Sequence, residues 1–199
     1  CQGAVDSDTS SRGLLRAIHA LALEPEHFNR DFACFDGVRR GKAYDAWALC
    51  NEGKTHLNPN ELATARGTVA GILRHKPARD LLTTPGARTE VTVQWKHPGT
   101  GVPCKARLDF LVDSVLADLK GYGTANPREI ARRIASLGAH IQMAHYHEAC
   151  TIGLGINITQ VLVLSYETKA PHDTALVELE LDGALAIGQK RREELMLAY

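Results

Sequence analysis

The chain has 199 residues, 44% hydrophobic and 23% charged, and its 23 Lys plus Arg balance 23 Asp plus Glu to a formal net charge of zero. That length suits one domain with a real core, and the composition excludes collagen, a coiled coil and a wholly disordered chain. No apolar run approaches the ~20 residues of a membrane helix, and the start has neither the basic end nor the apolar stretch of a signal peptide.

The chain is expected to be a single domain over residues 1–199, with 1–11 flexible. Its start at Cys1 rather than Met reads as a trimmed or excised piece of a longer product. A neutral chain that binds nucleic acid must gather its basic residues on one face or by oligomerisation. The five cysteines are Cys1, Cys34, Cys50, Cys104 and Cys150. No pair has C-x-x-C spacing, which argues against a zinc site, an iron–sulfur cluster or a disulfide framework, and so for a reduced, cytoplasmic setting. Each cysteine reads as a small buried hydrophobe.

In chain order, Ser10-Ser11 caps a helix from Gly13 to Leu23, stopped at Glu24-Pro25. Residues 26–58 read as loops with a short helix near Tyr44 to Cys50. Asn58-Pro59 opens a second helix, with Leu62, Val69, Ile72 and Leu73 on helical spacing, and a further turn covers Ala78 to Leu82. The period then changes. Glu90 to Trp95 alternates and reads as a strand, Pro98-Gly99-Thr100-Gly101 as a turn, and Cys104 to Val112 and Val115 to Gly121 as two more strands. Asn126-Pro127 opens a helix ending near Gly138, and His140 to Ile152 forms another. Val161 to Tyr166 is a buried strand, Ala175 to Leu181 an outer one, and Asp182 to Leu197 a closing helix. The pattern is α/β (α+β), with about five strands flanked by helices.

A two-residue turn at Asp113-Ser114 is the commonest hairpin connection. It sets Asp109 across from Asp118 and Arg107 across from Lys120, all four on one face. Ala106, Leu108, Phe110 and Val112 then share the other face with Val115, Ala117 and Leu119. Two opposed carboxylates repel, and a divalent cation between them removes the penalty. Oxygen ligands suit Mg²⁺ or Mn²⁺ rather than zinc. With Lys120 beside them the group suits phosphodiester hydrolysis. The same four residues also suit a solvated salt-bridge ladder.

Arg107-Leu108-Asp109 followed by Asp118-Leu119-Lys120 resembles the PD-(D/E)xK nuclease signature in its D-x-K form. Five stretches resemble RecE-type (exonuclease VIII) nuclease domains and their phage relatives. They are Ile18-His19-Ala20-Leu21-Ala22-Leu23-Glu24-Pro25; His75-Lys76-Pro77-Ala78 before Leu81-Leu82; Thr89-Glu90-Val91-Thr92-Val93; Cys104-Lys105-Ala106-Arg107-Leu108-Asp109; and Ile141-Gln142-Met143-Ala144-His145-Tyr146.

The resemblance implies a restriction-endonuclease-like core with a central mixed sheet. It implies a metal held by His19, Asp109, Asp118 and the Leu119 backbone carbonyl, and a catalytic group of Lys120, Asp109, Asp118, Glu90, Gln142 and Tyr146. Arg107, Arg128, Arg132 and Arg133 are the expected DNA contacts, as phosphate-positioning groups. Each has a plainer reading as well: His19 as a half-buried helix histidine, Glu90 as an edge charge, Gln142 and Tyr146 as packing residues with polar tips, and the α-helical arginines as a solvated face. His75 is expected to be structural, and His145 and His147 are not expected to be ligands. Three positions depart from the family pattern: Leu15 stands where Gly is usual, Leu108 where Pro is usual, and Gly121 where Thr is usual. The first places the close approach of helix and sheet in question, and the last removes a hydroxyl.

The implied activity is Mg²⁺-dependent 5′-to-3′ exonuclease action on linear double-stranded DNA, with Mn²⁺ as a substitute. It would leave single-stranded tails for a phage-type annealing recombinase. The implied assembly is a homo-oligomeric ring, in which patches such as Arg39-Arg40-Gly41-Lys42 converge on a channel. The alternatives are a single-strand nuclease or endonuclease on the same core, a DNA-binding module that no longer cuts, and a hydrolase of small phosphoesters. No membrane partner is expected.

Overall fold

Residues 10–198 are described in this computed structural model, so residues 1–9 and the expectation for them lie outside the described residues. Helix α1 (Ser10–Leu23) includes Ser10 and Ser11 rather than being capped by them, so those two residues are ordered into the helix. Leu14, Ala17, Ile18 and Leu21 recur at helical spacing on its inner face. A 3₁₀ turn (Pro25–His27) and one helical turn, α2 (Phe28–Asp31), follow.

The next stretch departs from the loop expected for it. Strands β1 (Phe32–Cys34) and β2 (Thr55–Leu57) pair in parallel across helix α3 (Lys42–Cys50). α3 contributes no buried residue. Instead Phe35, Tyr44, Trp47 and His56 pack ring against ring, with Tyr44 Oη 2.8 Å from His56 Nδ1.

Helix α4 (Pro59–Arg74) starts where Asn58-Pro59 places it. The Asn58 side chain accepts from Glu61 N and the Glu61 carboxylate accepts from Asn58 N, a reciprocal capping box. His75 ends α4 and its Nδ1 accepts from Ala78 N, which opens α5 (Lys76–Leu82). That gives His75 the structural role expected of it.

Five strands make the main sheet: β3 (Arg88–Lys96), β4 (Pro103–Val112), β5 (Val115–Lys120), β6 (Gln160–Tyr166) and β7 (Thr174–Glu178), in that spatial order. Only β5 and β6 are parallel. Parallel neighbours need a long crossover, and α6 (Pro127–Ser136) and α7 (Ala139–Glu148) supply it, followed by a π-helical turn (Ala149–Gly153). α6 begins at the expected Asn126-Pro127, with Asn126 accepting from Arg128 N. A second π-helical turn (Leu181–Leu185) leads into α8 (Ala186–Ala198).

The sheet separates two cores. One holds Val93, Trp95, Ala106, Leu108 and Leu116 under Ile130, Ile134, Met143 and Leu185. The other holds Phe110, Val112, Ala117, Leu119 and Leu164 under Ala17, Ile18, Ala65, Ile72 and Ala78. Of the cysteines, Cys104 and Cys150 are buried as expected, whereas Cys34 and Cys50 are exposed.

The hairpin register expected from the Asp113-Ser114 turn holds for three pairs: Val112 with Val115, Leu111 with Leu116 and Phe110 with Ala117. It then ends, so Asp109 is not laddered to Asp118, nor Arg107 to Lys120. Leu108 and Phe110 lie in opposite cores, although residues two apart on a regular strand share a face. The side-chain direction of β4 therefore reverses at Asp109. The single apolar face expected for Ala106, Leu108, Phe110 and Val112 is divided between the two cores. On β3 the facing residue is Glu90, with φ of +52°, and Glu90–Asp109 is the one position missing from the β3–β4 pairing between Arg88–Leu111 and Lys96–Pro103. Two acids thus stand where both strands turn over.

Candidate active site

The reversal at Glu90 and Asp109 brings these acids to the α1 side of the sheet, below His19. One ligand atom from each of His19, Glu90 and Asp109 lies within 4.8 Å of the others, and all three side chains are half-buried. His19 Nδ1 is 3.7 Å from Asp109 Oδ2. Asp109 Oδ2 also accepts from Leu119 N at 2.9 Å, which fixes the carboxylate. Glu90 is ion-paired to Arg107.

Asp118 and Lys120 lie two and four residues beyond Leu116, on the face of β5 that Leu116 turns to the first core. Asp118 is 1% exposed. Lys120 Nζ lies 2.7 Å from Asp118 Oδ2 and donates to Gln142 Oε1 at 2.8 Å. Gln142 Nε2 in turn donates to Tyr146 Oη at 2.7 Å. The spacing of Gln142 and Tyr146 on α7 is four, so one helix face carries both. The chain Asp118–Lys120–Gln142–Tyr146 runs from the sheet to the helix that crosses over it.

Burial governs the protonation of this group. It pushes the Asp109 carboxyl up to about 6, with the Leu119 N–H and the Lys120 charge acting against it. It pushes Asp118 up to about 7, and the Asp109 charge adds to the rise. His19 is lowered by burial, while Asp118, Glu90 and a backbone hydrogen bond to Leu119 hold it back. Tyr146 is pushed up to about 12 by burial and stays protonated at neutral pH.

These residues fit a hard divalent cation. Oxygen donors and one imidazole converge, and the buried Asp118 carboxylate beside them has the Lys120 ammonium as its partner. The set departs from the expected one in one respect. Glu90 joins His19 and Asp109, while Asp118 pairs with Lys120 and stays close enough to Asp109 for the two carboxyls to interact.

The site opens into a cleft lined by Arg12, Leu15, Arg16, His19, Glu90, Arg107 and Asp109. Arg12, Arg16 and His19 recur at helical spacing on α1. That periodicity was readable in the sequence, though the arginines were not singled out there. Tyr166 was also missed: its ring meets His19 edge-on at 6.4 Å between centroids and its buried hydroxyl has no hydrogen-bond partner. It lies within a continuous apolar strand, where nothing in the pattern distinguishes it. Arg128, Arg132 and Arg133 are exposed on α6. Arg133 is close enough to Tyr122 to oppose that phenol's upward shift, which sets α6 beside the end of β5. Arg39, at the head of the basic patch, donates to Glu61 and to the His56 carbonyl. His145 accepts from Arg192 Nε at 3.0 Å and lies outside the His19–Glu90–Asp109 group.

A five-stranded mixed sheet flanked by helices, with acids and a lysine at the end of a β-hairpin, defines the PD-(D/E)xK class of fold. Residues 3–197 match the family described as PDDEXK-like domain of unknown function (DUF3799), and the chain belongs to that family. It is thereby a member of the PD-(D/E)xK nuclease superfamily. No curated protein matches it. A crystal structure from Eubacterium rectale named "Putative exonuclease" shares the fold, with a TM-score of 0.65 at 14% identity. The likeness covers 94% of this chain and 65% of that one, so this chain spans less than two thirds of its structural neighbour.

Proposed function

We propose that this chain is a Mg²⁺-dependent DNA exonuclease that degrades linear double-stranded DNA from 5′ to 3′ and leaves single-stranded tails. The observation that supports a nuclease is the juxtaposition of His19, Glu90 and Asp109, which line an open cleft, with the charge of the buried Asp118–Lys120 pair. Family membership and the fold of a protein named as an exonuclease support it. Strand direction, the ring, the annealing recombinase and the cytoplasmic setting rest on the resemblance to RecE-type domains. No helix among the described residues is long and apolar enough to cross a membrane.

A bound Mg²⁺ supplies an activated water and offsets charge on the scissile phosphate. His19, Glu90, Asp109, Asp118 and the Leu119 carbonyl are the groups proposed to hold it. The Leu119 N–H keeps Asp109 in one orientation. Lys120 is held between Asp118 and Gln142, so its ammonium is positioned to donate to a phosphate oxygen without reorganising. Tyr146 steadies Gln142. Arg107, Arg128, Arg132 and Arg133 are proposed phosphate contacts that position the duplex without reading it.

The test is incubation of linear and circular duplexes with Mg²⁺, using 5′- and 3′-labelled ends. Loss of the linear form alone, from the 5′ end, supports the proposal. Lys120→Ala and Asp118→Asn should each reduce the rate by about 10²–10³-fold, the range for loss of one preorganised group. Cutting of the circle overturns the exonuclease for an endonuclease. Equal inertness of wild type and both variants, with DNA still bound, leaves a binding module.

A further inference from the structure

We infer that the bare face of the β3–β4 ribbon is the track on which a DNA strand lies as it leaves the cleft. This rests on the nuclease reading and adds a binding surface to it.

Beyond the reversal, the described residues cover the ribbon on one side only. Val93, Trp95, Ala106 and Leu108 pack into the first core. The opposite side carries Thr92, Gln94 and Lys96 on β3 and Pro103, Lys105 and Arg107 on β4, all exposed. The register pairs Thr92 with Arg107, Gln94 with Lys105 and Lys96 with Pro103. This face turns to the α1 side of the sheet, but no helix among the described residues covers it there. It holds three cations, two neutral hydrogen-bonding side chains and no acid. Lys96 and Lys105 have no ion-pair partner among the described residues, whereas Arg107 is held by Glu90.

The face is continuous with the cleft, since Arg107 belongs to both. At ~3.3 Å per strand residue, Lys105 stands roughly 13 Å from Asp109 and Lys96 roughly 20 Å from Glu90. Both lysines therefore stand well beyond the acids, along the path a strand takes out of the cleft. A cationic strip leading from carboxylates to open solvent is complementary to a phosphodiester backbone, whose contacts position a strand without reading its sequence.

The experiment measures duplex binding by fluorescence anisotropy in EDTA from 50 to 200 mM salt, for wild type, Lys96→Ala/Lys105→Ala and the control Lys190→Ala on α8. Melting curves for all three confirm folding. Loss of two phosphate contacts should lower the salt slope by about two and weaken binding on the order of 10- to 100-fold near 0.1 M salt. The control should match wild type. An unchanged slope in the double variant, or no DNA binding by wild type, overturns the track. A wild type that cuts DNA while the double variant binds normally leaves the nuclease standing without the track. A double variant that loses binding while wild type cuts nothing leaves the track standing without the nuclease.

Discussion

Leu15 Cδ2 sits 2.7 Å from where a Cβ at Gly121 would stand, and Tyr166 Oη sits 3.2 Å from the same point. The two family departures therefore meet in space: the leucine fills the room the glycine leaves. α1 keeps its close approach to β5, and Tyr166 Oη is left buried without a partner. Gly121→Thr alone should cost stability by displacing Leu15. Combined with Leu15→Ala it should be more stable than the two single changes sum to, because the new hydroxyl can reach Tyr166 Oη. A coupling of ~0.5–3 kcal/mol is expected for residues in contact. Urea unfolding of the four proteins measures it, and strict additivity would disprove the contact. The acids, Lys120, Gln142 and Tyr146, which the structure brings near one another, were picked out because a resemblance can be read residue by residue. The Leu15–Gly121 contact was not, because it joins residues 106 positions apart.

At the scale of elements, caps and turns were the readable signals. Asn58-Pro59 and Asn126-Pro127 opened the helices expected of them, since a side-chain cap and a proline at the first turn act locally. The Asp113-Ser114 turn fixed the first three hairpin pairs for the same reason. The reversal at Asp109 and Glu90 was illegible. A left-handed backbone at a glutamate leaves no compositional trace, and alternation was extrapolated through it. β1 and β2 were missed because three-residue strands are shorter than the pattern that detects them. Helix packing offers its own test. A Cβ on Gly188 of α8 would stand 2.2 Å from the His140 carbonyl oxygen on α7, a backbone atom that cannot swing aside. Gly188→Ala should therefore destabilise by about 1–3 kcal/mol despite its gain in helix propensity. Unchanged or raised stability in thermal melts would mean that the two helices are not packed this closely.

For the whole molecule, the buried acids link folding, pH and cation binding. Asp109 at about 6 and Asp118 at about 7 hold protons that an unfolded chain releases near 3.8. A carboxyl raised in the folded state stabilises most below its unfolded value, and that stability is lost as pH rises through the folded one. The metal-free protein should therefore lose stability between about pH 4 and 7. His19 is lowered from 6.5 and works in the opposite sense, gaining stability as pH rises. Asp118→Asn removes that acid's own titration, and with its charge part of what holds His19 up. A divalent cation binds the ionised carboxylates, so its stabilising effect should grow over the window in which the metal-free protein weakens. At about 100 times its Kd a ligand adds ~2.7 kcal/mol, or roughly 5–10 °C for a domain of this size. Melting temperatures in EDTA and in Mn²⁺ at pH 5, 6, 7 and 8 should diverge as pH rises for wild type and stay close together for Asp118→Asn. A gap independent of pH, or equally large in the variant, would remove Asp118 from the cation site.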